Sequence, residues 1–252
     1  MIVTRNLTKS YGETCVVRDV CLDITRGGVT SVIGPNGAGK STLLGLVSRL
    51  VQPTSGSVHV DELDVATAPG DLLARRLSIL RQDNHLAARL TVRDLVAFGR
   101  FPHSKGRLND LDRARIDDAI RYLGLEEFRD RFIDEMSGGQ RQRAFVAMVL
   151  CQDTDYVLMD EPLNNLDMRH STAMMKLIRK IADDLGKTFV LVLHDINFAS
   201  IYSDRIVAMR NGEMITQGSP RGILRSDVLR EIFEIDIPVH EIDGRRLGLF
   251  YF

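Results

Sequence analysis

Apolar and polar residues alternate from Ile2 to about Thr25, and the alternation breaks once, at Ser10-Tyr11-Gly12. That pattern predicts two strands joined by a turn. Val29-Thr30-Ser31-Val32-Ile33 is a short β-branched run that predicts a buried strand, and it feeds a glycine-rich stretch followed by helical spacing from Lys40 to about Leu50. Pro53-Thr54-Ser55-Gly56 marks a turn before a strand over Ser57 to Val60, and Leu77 to Arg81 predicts a strand leading to Gln82. From Thr91 to about Leu123 the pattern becomes helical and heavily charged. Thr91 with Asp94 resembles a capping box, and Asp110 or Asp112 is placed to cap the next helix. Another helix follows Ser137-Gly138-Gly139 and runs to about Val149. Tyr156 to Met159 and Thr188 to Leu193 predict buried strands, separated by a helix from about Arg169 to Leu185 that Gly186 stops. Pro238 to Phe252 predicts a small hairpin around Asp243-Gly244. Such strand–helix–strand alternation, interrupted by a helical insertion, points to an α/β fold with a mostly parallel sheet.

Composition narrows the class. A chain of 252 residues, 44% hydrophobic and 27% charged, matches a globular protein and excludes wholesale disorder. Its 33 basic residues nearly balance 34 acidic ones, for a net charge of −1, which argues against a dedicated nucleic-acid binder. Cys15, Cys21 and Cys151 have neither a disulfide framework nor zinc-ligand spacing and fit a reducing compartment. Met1 to Glu13 lacks the apolar core of a signal peptide, and no apolar run approaches the roughly 18 residues of a membrane span. The expectation is a chain that does not cross a membrane on its own.

Two runs carry candidate chemistry. Gly34-Pro35-Asn36-Gly37-Ala38-Gly39-Lys40-Ser41 fits the phosphate-loop pattern in the context it requires, between a strand and a helix. Its glycines allow positive φ, so that successive N–H groups can face phosphate oxygens, and the following helix adds its positive end. Lys40 can supply charge to the β- and γ-phosphates and the Ser41 hydroxyl can ligate Mg2+. Tyr156 to Met159 delivers Asp160 and Glu161 to the carboxyl end of a strand, the edge where α/β sheets bind ligands. Asp160 is expected to hold Mg2+, and Glu161 to orient or deprotonate a water.

Met136-Ser137-Gly138-Gly139-Gln140-Arg141-Gln142-Arg143 resembles the signature motif of ATP-binding-cassette (ABC) ATPases, with Met136 where leucine is usual. Ser137 precedes Asp160 by 23 residues, the family's order and approximate spacing. Ser-Gly-Gly opening a helix is physically a second anion site. The resemblance runs from Tyr11 to at least Gly218. It implies one cassette domain over 1–252: a P-loop core with a mostly parallel sheet, an N-terminal antiparallel β-subdomain, an α-helical subdomain inserted over about 84–150, and a small C-terminal extension over about 219–252. It implies ATP and Mg2+ as cofactors and a head-to-tail homodimer, in which Ser137, Gly138, Gly139 and Gln140 act on the partner's ATP. Tyr11 would stack on adenine, and Gly34 to Ser41 together with Thr42 would cradle the phosphates. Gln82 would sense Mg2+ and water, Asn165-Leu166-Asp167 would signal across the dimer through Asp167, and His194 would contact the γ-phosphate.

A single cassette without membrane spans also implies separate permease subunits and, indirectly, a substrate-binding protein. The chain would then sit peripherally on the cytoplasmic face of the inner membrane. Arg81 to His85, Val96 to His103 and Asp160 to Asp167 resemble ATPase subunits of iron–siderophore importers. An importer of haem, cobalamin or metal is the alternative, as is a soluble cassette protein without a transport role. A kinase sharing the phosphate loop would have no use for Ser137 to Gln140. The six histidines (His59, His85, His103, His170, His194, His240) are scattered, so iron is not expected on this chain. Val96, Phe98 and Phe101 are interleaved with Arg100; this segment is either a helix end that packs into its own subdomain or a surface that offers a permease an aromatic anchor in a polar rim.

Overall fold

The computed structural model describes residues 1–82 and 88–250. Strands β1 (Ile2–Tyr11) and β2 (Thr14–Ile24) form an antiparallel pair, as the alternation predicts. β3 (Gly28–Ile33) leads through the glycine loop into α1 (Lys40–Val47). This helix stops short of Leu50, because Ser48 caps it and Arg49 turns left-handed at φ 61°. Next come β4 (Ser55–Val60), β5 (Leu63–Asp64), α2 (Gly70–Arg76) and β6 (Leu77–Leu80).

The charged region folds as α3 (Val92–Phe98), α4 (Phe101–Ser104) and α5 (Asp110–Tyr122). Thr91 and Asp94 do form a capping box. The cap of α5 is Asn109, with Asp112 as its reciprocal partner, so neither Asp110 nor Asp112 is itself the cap. α6 (Gly138–Cys151) starts from a third capping box, Ser137 with Gln140. Each such cap is worth about 1 kcal/mol to its helix. The chain then runs through β7 (Tyr156–Asp160), α7 (Met168–Leu185), β8 (Thr188–Val192) and α8 (Ile196–Tyr202). It finishes with β9 (Arg205–Arg210), β10 (Glu213–Gly218), α9 (Pro220–Ile223), α10 (Ser226–Phe233) and the hairpin β11 (Val239–Ile242) to β12 (Arg245–Gly248).

The central sheet has the order β10-β9-β3-β8-β7-β6, parallel except for β10. A separate antiparallel sheet has the order β2-β1-β4-β5. Alternate residues of the central strands serve two cores, which is why β7 and β8 are largely apolar on both faces. Val157, Met159, Phe189 and Leu191 point into the layer built with α3, α5, α6 and α7. Leu158, Val190, Val192 and Met209 point the other way, onto α1 and the antiparallel sheet. The register sets Asp160 beside Val192 and Leu80 beside Met159, so β3, β8, β7 and β6 end along one edge.

One expectation about the surface is corrected. Arg100 is 5% exposed and lies inside the fold. Its Nε donates to Asp112 at 3.0 Å and its Nη1 to the Cys151 carbonyl at 2.9 Å, so it is no part of a solvent-facing rim. Gly99 makes this approach feasible: a Cβ there would lie 2.1 Å from the Met148 carbonyl oxygen. Asp83, Asn84 and His85, and with them the expected start of the insertion near 84, lie outside the described residues.

Candidate active site

The glycine loop is walled by backbone on two sides. A Cβ at Gly34 would lie 2.0 Å from the Met209 carbonyl oxygen, and one at Gly39 would lie 2.4 Å from that of Val16. Gly212, in the turn between β9 and β10, closes the wall: its N–H donates to Ala38 O and its carbonyl accepts from Arg18 N. The loop is thereby held between β9 and β2, and α1 begins at Gly39 with no side-chain cap. The uncapped N–H groups are free to bind an anion. Lys40 is 5% exposed, and its Nζ donates to the Gly34 and Pro35 carbonyls, each at 2.9 Å. Burial pulls the pKa of Lys40 below its ordinary value, against the opposing pull of Glu161 and Asp160. Phosphate oxygens would be a stronger partner for this ammonium than two neutral carbonyls.

The neighbouring strand ends supply the acidic half. Ser41 Oγ donates to Asp160 Oδ1 at 2.9 Å. Burial raises the Asp160 carboxyl, and the adjacent Glu161 adds to this, while Ser41, Lys40 and His194 partly offset it. Hydroxyl, carboxylate and amide oxygens are hard donors, and a buried carboxylate short of positive charge suits a small divalent cation, so Ser41, Asp160 and Gln82 fit Mg2+. Among the described residues no group of three His, Cys, Asp or Glu side chains is arranged to hold a metal by itself. Glu161 has φ 51°, an unfavourable left-handed conformation for glutamate, held here by the turn in which Asn164 N donates to its carbonyl. Its two carboxylate oxygens are both engaged: Oε2 accepts from Gln82 Nε2 at 2.7 Å, and Oε1 lies 2.6 Å from His194 Nε2. Thus Lys40, Ser41, Gln82, Asp160, Glu161 and His194, drawn from four strand ends, converge at one edge.

The signature residues form a second group. A Cβ at Gly139 would lie 2.3 Å from His170 Cδ2, so the start of α6 packs directly on the start of α7. Asp167 caps α7 by accepting from His170 N at 2.8 Å and also meets His170 Nδ1 at 2.7 Å. These hydrogen bonds, the backbone one foremost, hold the Asp167 carboxyl below its ordinary pKa. Gln142 Nε2 donates to the Pro162 carbonyl at 3.0 Å. The start of α6, with Ser137 to Gln140, therefore packs against the 162–170 segment that carries Asp167. Tyr11 ends β1, is 54% exposed, and carries Lys9 Nζ 4.8 Å from its ring centroid. Sequence reasoning missed the Val16, Met209 and His170 contacts. The Asn211-Gly212 pair was a legible hairpin signal for the loop's third wall.

Comparison with known proteins agrees with this architecture. The family described as ABC transporter matches residues 17–164. The chain is 49% identical over 251 residues to the petrobactin import ATP-binding protein YclP of Bacillus subtilis, covering 100% of both chains. It is 48% identical to the petrobactin import ATP-binding protein FatE of Bacillus anthracis, covering 95% of this chain and 96% of that one. Its fold superposes on the ATP-binding cassette MJ0796, solved as a dimer in a post-hydrolysis state bound to ADP and Pi, with a TM-score of 0.77, 31% identity, and coverage of 88% and 100%.

Proposed function

This chain belongs to the ABC transporter family of ATPases, and from that premise we propose that it powers the import of a ferric siderophore, with a petrobactin-type chelate as cargo. Two copies pair head to tail and work with permease subunits, which a substrate-binding protein supplies with cargo. The chain acts at the cytoplasmic face of the membrane; no helix among the described residues is long and apolar enough to cross it. The cargo reading rests on the near end-to-end likeness to two proteins named for petrobactin import.

In the proposed chemistry Lys40 releases the Gly34 and Pro35 carbonyls and takes β- and γ-phosphate oxygens. The loop N–H groups and Thr42 complete the cradle, and Tyr11 stacks on adenine. Ser41, Asp160 and Gln82 would hold Mg2+, which would supply neutralisation of phosphate charge. Glu161 accepts the proton of a water whose oxygen attacks the γ-phosphorus, and ADP departs with the bridging oxygen. His194 leaves Glu161 and donates to the γ-phosphate. The partner's Ser137 hydroxyl and the N–H groups of its Gly138, Gly139 and Gln140 cover the same phosphate from the opposite side. The test is uptake of radioactive iron by cells with this gene deleted and then restored. Ferric petrobactin uptake should disappear and return, with ferric hydroxamate and ferric enterobactin as comparison cargoes. Unchanged petrobactin uptake in the deletion strain would refute the cargo assignment.

A further inference from the structure

The C-terminal hairpin is clamped to the helix that starts beside His194. Leu193 N is tied to Val32 O at 3.1 Å, and Asp195 caps α8 by accepting from Asn197 N at 2.7 Å, so only Asp195 separates the imidazole-bearing residue from α8. The helix has seven residues, too few to hold its own position, and its place is imposed by what it packs on. Its inner face buries Ile196 and Ala199 in the core. Toward the hairpin, the Asn197 carboxamide makes a two-pronged contact with Gly248: Nδ2 donates to the carbonyl at 3.1 Å and Oδ1 accepts the N–H at 2.8 Å. Ser200 Oγ adds a bond to the Arg246 carbonyl at 2.6 Å. Gly248 has no room for a side chain, since a Cβ would lie 2.6 Å from Ile196 Cδ1.

We infer that Asn197 is a positioning residue: by locking the hairpin onto α8 through Gly248, it fixes where the His194 imidazole stands relative to Glu161 and the terminal phosphate. The inference rests on the role proposed above for His194. Releasing the clamp lets α8 tilt on its inner face, and a displacement of about 1 Å at a reacting group can cost up to about a hundredfold in rate. ATP binding, built by the glycine loop on the far side of β3, is untouched.

The experiment is steady-state ATPase kinetics of the full chain, at enzyme concentrations high enough to follow slow variants. Asn197→Ala should lower kcat about tenfold and leave KM for ATP within about twofold. In a His194→Ala background the same substitution should cost nothing further, because the two residues act as one unit. Asn197→Asp keeps the acceptor for Gly248 N–H but loses the donor, and should give an intermediate loss. Wild-type kcat in a folded Asn197→Ala protein, or an equal loss with and without His194, overturns the inference. Should the alanine variant fail to fold, a folded Asn197→Asp protein with wild-type kcat overturns it as well. Wild-type turnover in His194→Ala alone is a different failure, because it removes the role of His194 and the ground beneath the clamp.

Discussion

Glu161 and His194 meet head on: Oε1 of the carboxylate lies 2.6 Å from Nε2 of the imidazole, at the ends of adjacent strands. With Gln82 on the other oxygen, each carboxylate oxygen carries one side-chain partner. A γ-phosphate that draws His194 away frees one oxygen, which would make hydrolysis conditional on bound ATP. Glu161→Gln keeps both contacts possible and removes the basicity. Turnover should fall by at least about a hundredfold, ATP binding should persist, and a dimer should accumulate with ATP in size-exclusion chromatography. Normal hydrolysis by this variant would exclude Glu161 as the base.

The contact of Gly139 with His170 joins the signature to the helix that Asp167 caps. In the proposed head-to-tail dimer a functional site needs Lys40 from one copy and Ser137 from another. Lys40→Ala and Ser137→Arg should each abolish ATP-driven dimerisation. Mixing the two variants creates heterodimers with one intact composite site and one doubly damaged site. Partial recovery of dimer, up to about half the species in an equimolar mixture by random pairing, is expected in a titrated mixing series. Absence of recovery at every ratio would count against the head-to-tail arrangement.

The sequence was most legible where chemistry lies in contiguous runs. Gly34 to Ser41, Asp160-Glu161 and Ser137 to Gln140 each carry their pattern within a few residues, and Asp160-Glu161 ends a strand whose preceding residues are apolar or aromatic. Contacts between distant residues were not legible. Arg100 reads as a surface charge because its partners, Asp112 and the Cys151 carbonyl, are 12 and 51 residues away. Asn109-Asp110-Leu111-Asp112 offers three capping side chains in four positions, and the choice among them depends on where α5 starts, which packing of Ile116 and Ile120 decides. The segment 219–237 holds only two short helices, α9 and α10, and their place follows from docking against β9 and β10.

Asp160 offers a test whose sign is set by its raised carboxyl pKa, with burial as the main cause. A carboxyl that holds its proton more tightly when folded stabilises the fold below its ordinary range of about 4, and that contribution is lost as pH rises through the folded value. At pH 7, without nucleotide, the ionised group is therefore a net cost. Asp160→Asn should melt higher than wild type there, on the order of 2 °C, and the gap should close as pH falls below about 4. Saturating ATP with Mg2+ should reverse the order, because only wild type gains the cation's charge. Scanning calorimetry across pH checks both; a nucleotide-free Asn variant that melts lower at pH 7 would contradict the sign.

Phe98 and Phe101 are 54% and 60% exposed on either side of Arg100, and Leu72 on adjoining α2 is 46% exposed. Arg75 Nε donates to the Pro102 carbonyl at 3.2 Å and ties α2 to α4. Val96 and Arg100 face inward, so an anchor proposed for a permease would consist of the two phenylalanines. Phe101→Asp should change the stability of the isolated chain by no more than about 0.5 kcal/mol, as for other exposed sites, and leave ATPase activity nearly normal. The same substitution should break co-purification with the permease and stop siderophore uptake by cells. Arg100→Ala is the control in the opposite direction: it leaves Asp112 buried without its cation and should cost about 3–5 kcal/mol whether or not a permease is present. Full permease association and normal uptake by the Phe101→Asp variant would show that these exposed rings serve no partner.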